Sequence, residues 1–460
     1  MYMNKFIYSF LFLLLPIVSQ AQQNITLQEA IDTALENNYQ LQQSDNNLKL
    51  AETNIWSARA DFLPSINGSS SYNRTTGQQF DQTTVAFEDV TTNRIGGNIS
   101  VNLTVFSGFR NILNLRSVNA DEASQRNSRE RLRETIIFDT ASRFLRVALD
   151  VELLKIARET LEASESLLEQ ISAQVEVGAR PTVDLFNQES EVASDELAVI
   201  QSENALELSK TRLLRIMQVD QEAEYEFDIP SADELTLIPA DLELREMIDA
   251  ALNNRNDLLA QEQVIKRNEH QVGITRSGLY PTLSASYGIN TSYNDNFRVT
   301  AIDPNNPGEF IRQTVGFTDQ FFDQLVTKNV GMSLQVPIFN NWDNRTSLQS
   351  SKIALKNSKL ELENVKFQIF EEVRQAYNDY TSFSKELEST EKSLAAAERA
   401  FETEQQRYNV GASTLIELNQ ANSNFVQAQS NRVQAIYNFV FQEKLLDYFI
   451  GRLDSRITLN

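Results

Sequence analysis

Apolar and polar positions follow two different periods along this chain, and each regime occurs twice. Gly97-Asn98-Ile99-Ser100-Val101-Asn102-Leu103-Thr104-Val105 alternates strictly between apolar or small and polar residues, as do Leu283 to Asn290 and Val330 to Val336. A period of two places successive side chains on opposite faces of a strand. The stretch after Pro64 is a weaker version, with Ile66, Gly68, Ser70 and Tyr72 on one side. Elsewhere the spacing is three and four: Leu154, Ala157, Leu161, Ser164, Leu168, Ile171 and Val175 form one stripe. Leu387, Thr390, Leu394, Ala397, Phe401, Glu404 and Tyr408 repeat it. Leu185, Val192, Val199, Leu206 and Leu213 then recur every seven residues, and Leu418, Phe425, Phe439 and Leu446 occupy the matching later stretch. These patterns predict two antiparallel helical hairpins packed in coiled-coil fashion.

Breaker residues give the lengths. Most of the 14 glycines lie between Gly68 and Gly108 or between Gly273 and Gly331, while 111–177 and 345–410 hold neither glycine nor proline. An uninterrupted helix over Asn111–Val177 would be about 100 Å long at a rise of roughly 1.5 Å per residue, far more than a globular core needs. Shorter helices are predicted over roughly Leu27–Asp61 and Leu242–Ile274, ahead of each glycine-rich window.

The chain is a tandem duplication. Ala30-Ile31-Asp32-Thr33-Ala34-Leu35 returns as Met247-Ile248-Asp249-Ala250-Ala251-Leu252, and Val175-Glu176-Val177-Gly178-Ala179-Arg180 as Tyr408-Asn409-Val410-Gly411-Ala412-Ser413. Such a period is far beyond the roughly 20–50 residues of solenoids, so the unit is domain-sized. Residues 1–21 read as a signal peptide, with Lys5, an apolar run from Phe6 to Val18, and Ser19-Gln20-Ala21 as cleavage site. Repeat 1 then spans 22–229, with strands about 64–106 and a hairpin about 111–218. Repeat 2 spans 230–460, with strands about 281–339 and a hairpin about 345–450.

Composition removes most chemistry. The chain has no cysteine and one histidine, His270, which argues against disulfides, thiolate or histidine metal sites and an acylated N-terminal cysteine. Its 41 basic against 63 acidic residues, net charge −22, disfavour nucleic acid as a partner. No Gly-rich phosphate loop, Gly-x-Ser-x-Gly elbow or His-Glu-x-x-His pattern is present, so no enzyme, cofactor or metal is expected.

A half-buried sheet on a soluble core would alternate as these strands do. Two details favour a membrane barrel instead. The polar side is Asn, Ser, Thr and Gln with little charge, and the strands end in aromatics: Phe106 and Phe109, Phe339 and Trp342, with Tyr72, Tyr287 and Tyr293 farther along. Apolar outside, polar inside and aromatic at the rims is the barrel pattern, and each strand is expected near the roughly 9–11 residues of a crossing. Four strands cannot close a barrel, and an open edge in lipid leaves backbone groups unpaired. The chain must therefore oligomerise, as a dimer, trimer or tetramer. The longer second loop, around Asp303-Pro304-Asn305-Asn306-Pro307-Gly308, lies at the end away from the helices and is expected to face outside.

In this order of parts the chain resembles the TolC-type outer-membrane efflux proteins. The resemblance rests on a signal peptide, two copies of helix, strand pair, long helix, glycine turn and returning helix, and on Val177-Gly178, Val410-Gly411, Asp184-Leu185 and Glu417-Leu418 at and after the turns. It implies a mainly α fold with β: a trimer with a 12-stranded membrane barrel continued by a 12-helix periplasmic α-barrel. It implies a channel of a tripartite efflux or type I secretion system in the outer membrane, extending into the periplasm. Its partners would be outer-membrane lipid, a periplasmic adaptor and an inner-membrane pump of RND, ABC or MFS type. Small molecules or polypeptides would be exported. The alternative is a non-channel periplasmic adaptor or structural coiled-coil protein. Adaptors carry a single hairpin flanked by compact β-domains, which this chain lacks.

The resemblance also implies a periplasmic gate at Asp184, Tyr408 and Glu417, and an adaptor-docking tip at Gly178, Arg180, Gly411 and Ser413. The arginine expected two residues after the second glycine is Ser413, its counterpart in the first repeat being Arg180, and a further ring acid is Gln420. Each residue also has a plainer role. Thr414-Leu415-Ile416-Glu417 fits a capping box, Asp184 suits a first helical turn, Tyr408 lies on the apolar stripe, and Gly178 and Gly411 fit helix C-caps. Phe106, Phe109, Phe339 and Trp342 are expected to be membrane-interface anchors.

Overall fold

The computed structural model describes residues 23–81, 85–221, 225–235, 242–302 and 307–453. The expected signal segment and positions 303–306 of the long loop lie outside the described residues. In chain order the elements are β1 (Gln23–Ile25), α1 (Leu27–Asn37), α2 (Tyr39–Ala60), β2 (Ser65–Asp81), β3 (Ala86–Phe106), α3 (Arg110–Glu176) and α4 (Thr182–Met217). There follow β4 (Tyr225–Phe227), a 3-10 turn, α5 (Leu244–Asn254), α6 (Asn256–Ser277), β5 (Thr282–Asn294), β6 (Arg298–Ile302) and β7 (Phe310–Thr314). A short helical turn α7 (Phe317–Asp319) runs into a π-turn over Gln320–Gln324, then β8 (Thr327–Gln335), α8 (Asp343–Asn409) and α9 (Leu415–Phe449). The fold is mainly helical with β, in two repeats. No helix among the described residues is long and apolar enough to cross a membrane.

The chain forms two compact units, and neither is a repeat, because each takes segments from both. The first comprises 23–42, 130–255 and 368–453 among the described residues. Its main core gathers Ile31, Ile137, Phe144, Leu213 and Met217 from α1, α3 and α4. The heptad positions Val192, Leu206 and Leu213 are buried, as are Leu418, Phe439 and Leu446 on α9. The helix predicted over Leu27–Asp61 is broken at Asn38, which has extended backbone and whose Oδ1 accepts from the Gln40 and Leu41 N–H groups at 2.9 and 3.1 Å. The helix predicted over Leu242–Ile274 is broken at the equivalent Arg255, also extended, which is buried and ion-paired to Glu372 at 2.5 Å. At Asn38 the side chain satisfies free N–H groups of the new helix start, which makes the break inexpensive; after Arg255 it is Asp257 Oδ1 that accepts, from the Leu258 N–H at 2.9 Å.

The second unit comprises 43–129 and 256–367. Its sheet has the order β2-β3-β5-β8, every pairing antiparallel. The register aligns the predicted faces across all four strands. Ile66, Val101, Tyr287 and Val330 form one row, and Gly68, Ile99 and Ile289 the next. The opposite face carries Asn67, Ser100, Gly288 and Asn329 in one row. The alternation at Val105 does not hold, because a bulge between Thr104 and Phe106 inserts it and shifts the pairing to Phe106 with Leu283. β2 and β3 are also longer than expected, at 17 and 21 residues. Their extra rows mix polar pairs, such as Thr76 with Thr91 at 3.1 Å, with the aromatic pair Phe80 and Phe87, and such a mixture gives no alternation to read.

Candidate functional site

Where α3 turns into α4 and α8 into α9, the backbone leaves each helix the same way. Gly178 and Gly411 have φ of +75° and +74°. The Ala179 N–H donates to the Gln174 carbonyl at 2.8 Å, and the Ala412 N–H to the Arg407 carbonyl at 2.8 Å, closing Schellman turns. An added Cβ would meet nothing within 4 Å at either glycine, so the left-handed backbone alone selects it. Around these turns Val177, Val183, Phe186, Val410 and Ile416 are exposed.

The first turn sends Arg180 onto the second hairpin. Its guanidinium lies 4.3 Å from the centroid of Tyr408, while Nη1 is 3.5 Å from Asp184 Oδ2 and Nε donates to Gln174 Oε1 at 2.5 Å. Tyr408 packs with Ile171, Leu415 and Leu418. Its hydroxyl is buried without a hydrogen-bond partner, and burial raises its pKa. The structure thus joins Tyr408 and Asp184, which the sequence singled out as gate residues, through Arg180, which it assigned to the docking tip.

Glu417 stays with its own turn. Its Oε2 accepts from the Thr414 N–H at 2.9 Å, the Thr414 hydroxyl at 3.0 Å and the Ser413 hydroxyl at 2.9 Å, and its N–H donates to Thr414 Oγ1 at 3.3 Å. These donors, the Thr414 backbone first, lower its pKa. Glu404 lies within reach of the same Ser413 hydroxyl, whose single proton serves one of the two carboxylates at a time.

Three polar residues behind the tip gave no sequence signal, because each sits on an ordinary helical face. Gln188 is buried, donates to the Ser164 carbonyl and hydroxyl at 3.1 Å, and accepts from Asn419 at 3.2 Å. It therefore ties α3 and α4 to α9. Asp195 Oδ2 is buried without a partner. Burial raises the pKa of Asp195 and of Glu191, the latter further through repulsion from Asp195.

At the sheet-to-helix junctions of the second unit, Phe106 and Phe109 meet edge to face at 5.5 Å, Phe339 and Trp342 are exposed, and Arg345 lies 4.6 Å over Trp342. The two junctions are equivalent in an unusual way. Gly108-Phe109 has φ of +63° and +68°, and Asn341-Trp342 has +53° and +67°. Consecutive left-handed residues, one of them a bulky aromatic, are strained, and their recurrence in both repeats makes them a built feature.

The profile of a family described as outer membrane efflux protein matches residues 30–217 and 247–452. A relative from Salmonella typhimurium, described as the probable outer membrane lipoprotein SilC, is 20% identical over 328 residues, 70% of this chain. The chain spans 63% of that relative's length. The fold is similar to the CmeC outer membrane channel of Campylobacter jejuni, with TM-score 0.78 and 16% identity over 94% of this chain and 87% of that one. It is also similar to the outer membrane protein VceC of Vibrio cholerae, with TM-score 0.77 and 16% identity over 92% of this chain and 96% of the other.

Proposed function

The chain belongs to the outer membrane efflux protein family, and from that membership we propose that three copies form a conduit through the outer membrane for an inner-membrane pump. The observation that carries the reading is the four-stranded sheet, with one face apolar in register and β2 and β8 at its ends. Unpaired edges in lipid leave N–H and C=O groups without partners, so β8 of one copy pairs with β2 of the next and three copies make a 12-stranded barrel. The two hairpins per chain supply a periplasmic helical barrel. A periplasmic adaptor docks on the exposed apolar side chains at its tip, and Arg180, Asp184 and Tyr408 hold that tip closed. The protein is a passage and performs no catalysis. Cross-linking in native outer membranes is expected to yield one species of three chains that resists SDS. A stable, inserted monomer overturns the reading, and so does recovery as a soluble periplasmic protein, which is what an adaptor would give.

Glu417 adds charge to the entrance. Three copies round one axis lower the potential there and favour cations, an effect that salt screens within about 10 Å at 0.1 M. Its folded pKa is lowered, so its capping contribution is present above the ordinary carboxylate pKa and is lost as pH falls through the lowered value. Glutamine also closes a capping box. Glu417→Gln is therefore expected to reduce cation selectivity and block by multivalent cations in planar bilayers, with unchanged trimer yield, whereas Glu417→Ala also weakens the turn. Unchanged selectivity in Glu417→Gln would leave Glu417 a cap and nothing more.

A further inference from the structure

The segment between β7 and β8 folds back onto the sheet, on the face that carries the apolar rows. The Phe321 ring rests on Gly97, where an added Cβ would come within 2.8 Å of Cζ, so the missing side chain makes its room. The Thr291 hydroxyl donates to the Phe321 carbonyl. Gln320, fully buried, donates to the carbonyls of Val315 and Asn294 at 2.6 and 3.1 Å and accepts from the Asn294 N–H at 3.0 Å. These bonds to backbone fix the segment in one position. Tyr293, Phe317, Phe321 and Phe322 form a continuous aromatic cluster there, with centroid separations of 5.1 to 6.2 Å. A π-turn is a rare backbone form.

A groove of about 600 Å³ remains beside the segment, floored by Gly68, Ile99 and Ile289 and walled by Phe321, Phe322 and Val326. Its size falls within the roughly 300–1,000 Å³ of ligand pockets. At Gly68 an added Cβ would meet nothing within 4 Å, so the groove is open there. Lys328 extends the floor's row, since it pairs with Ile289 as Ile289 pairs with Ile99 and Ile99 with Gly68. Alternation puts it on the same face, where it is exposed. An ammonium at the end of an apolar row suits an anionic headgroup whose chain lies along that row.

We infer that this groove holds an acyl chain of a phosphate-bearing lipid of the outer leaflet, with Lys328 on the phosphate. The inference rests on the barrel reading, in which the apolar rows face lipid. The leaflet follows from β5 and β8, where Ile289 with Lys328 is the eighth of nine pairs counted from the end next to α8. A lipid occupant follows from continuity, because the floor belongs to the rows that face lipid in the barrel reading, so bilayer chains reach its mouth.

The test is native mass spectrometry of trimers extracted from outer membranes and washed at length in mild detergent. The unmodified protein is expected to retain a phosphorylated, acylated lipid on each protomer. Gly68→Phe sends a ring into the groove from a position where the added Cβ itself meets nothing within 4 Å, and is expected to lose the lipid. Lys328→Gln is expected to weaken retention roughly tenfold, as for loss of a charge-assisted contact. Gly77→Phe, at a position with nothing within 4 Å and one face over, is expected to retain it. Absence of retained lipid in the unmodified trimer overturns the inference, as does full retention in Gly68→Phe. Loss of the trimer in Gly68→Phe alone also overturns it, since the neighbouring protomer then fills the groove. Failure of the barrel reading is seen separately, as an unmodified chain that yields no SDS-resistant trimer from outer membranes.

Discussion

Lysine at Val101 is expected to abolish recovery of the folded trimer from outer membranes, whereas lysine at the adjacent Asn102 leaves recovery near that of the unmodified chain. Val101 lies in the apolar row between Ile66 and Tyr287, and Asn102 in the polar one between Ser65 and Ser286. A lysine on the lipid face costs about 2–4 kcal/mol near the midplane but only about 0–1 kcal/mol near an interface, which is where Lys328 lies on the next row of this face, at the end of β8 away from α8. Three chains bear it at once, against a total stability of roughly 5–15 kcal/mol for a typical domain. A lysine on the lumen side stays hydrated. The same contrast holds at β8, where Leu334 pairs with Leu283 and Gln335 with Thr282. The effect of Leu334→Lys is smaller, because that row is nearer the junction with α8 and a long side chain there reaches the headgroups. Heat-modifiable mobility of the trimer in isolated outer membranes reads the result. Equal losses at Val101 and Asn102 would mean that the apolar rows do not face lipid.

The two faces of the sheet were legible because alternation along a strand is a local pattern, and the register carries it across four strands. The glycine turns were legible for an equally local reason, since φ near +75° excludes most other residues. Features set by a second contact were silent. Arg255 breaks its helix while paired to Glu372 on a distant segment, and arginine is no breaker by type; Asn38 caps the next helix locally, a signal that one asparagine among many along a helical stretch does not single out. Phe109 and Trp342 read as rim aromatics, yet nothing about a Phe or a Trp announces a left-handed backbone. The segment Phe317–Gln324 carries no period of its own, because Gln320 holds it through backbone carbonyls and Gly97 receives it from a strand more than 200 positions away. At the tip the sequence supplied Tyr408, Asp184 and Arg180 as separate residues. Their meeting depends on how two hairpins pack, which spacing along one helix does not encode.

That meeting sets an order of effects at the tip which differs from a simple hydrogen-bonded latch. Arg180 stacks on the ring of Tyr408 and pairs with Asp184. A cation–π contact is worth about 0.5–2 kcal/mol depending on desolvation, and a partly exposed ion pair about 0.2–1 kcal/mol. The pair with Asp184 is local to the first hairpin and orients Arg180, so only the stack on Tyr408 distinguishes a closed from an open tip; Arg180→Ala removes that stack in each of three chains, and every 1.4 kcal/mol is about a tenfold shift between closed and open tips. It is expected to raise single-channel conductance in planar bilayers and to lengthen open times. Arg180→Lys keeps the charge but loses the planar stack, so its effect is intermediate. Tyr408→Phe keeps the ring face and removes only a hydroxyl that has no hydrogen-bond partner, so its conductance stays near that of the unmodified channel. A Tyr408→Phe channel as open as Arg180→Ala would show that the hydroxyl, and not the ring, is the link. Unchanged conductance in Arg180→Ala, with trimers intact, would remove Arg180 from the closure altogether.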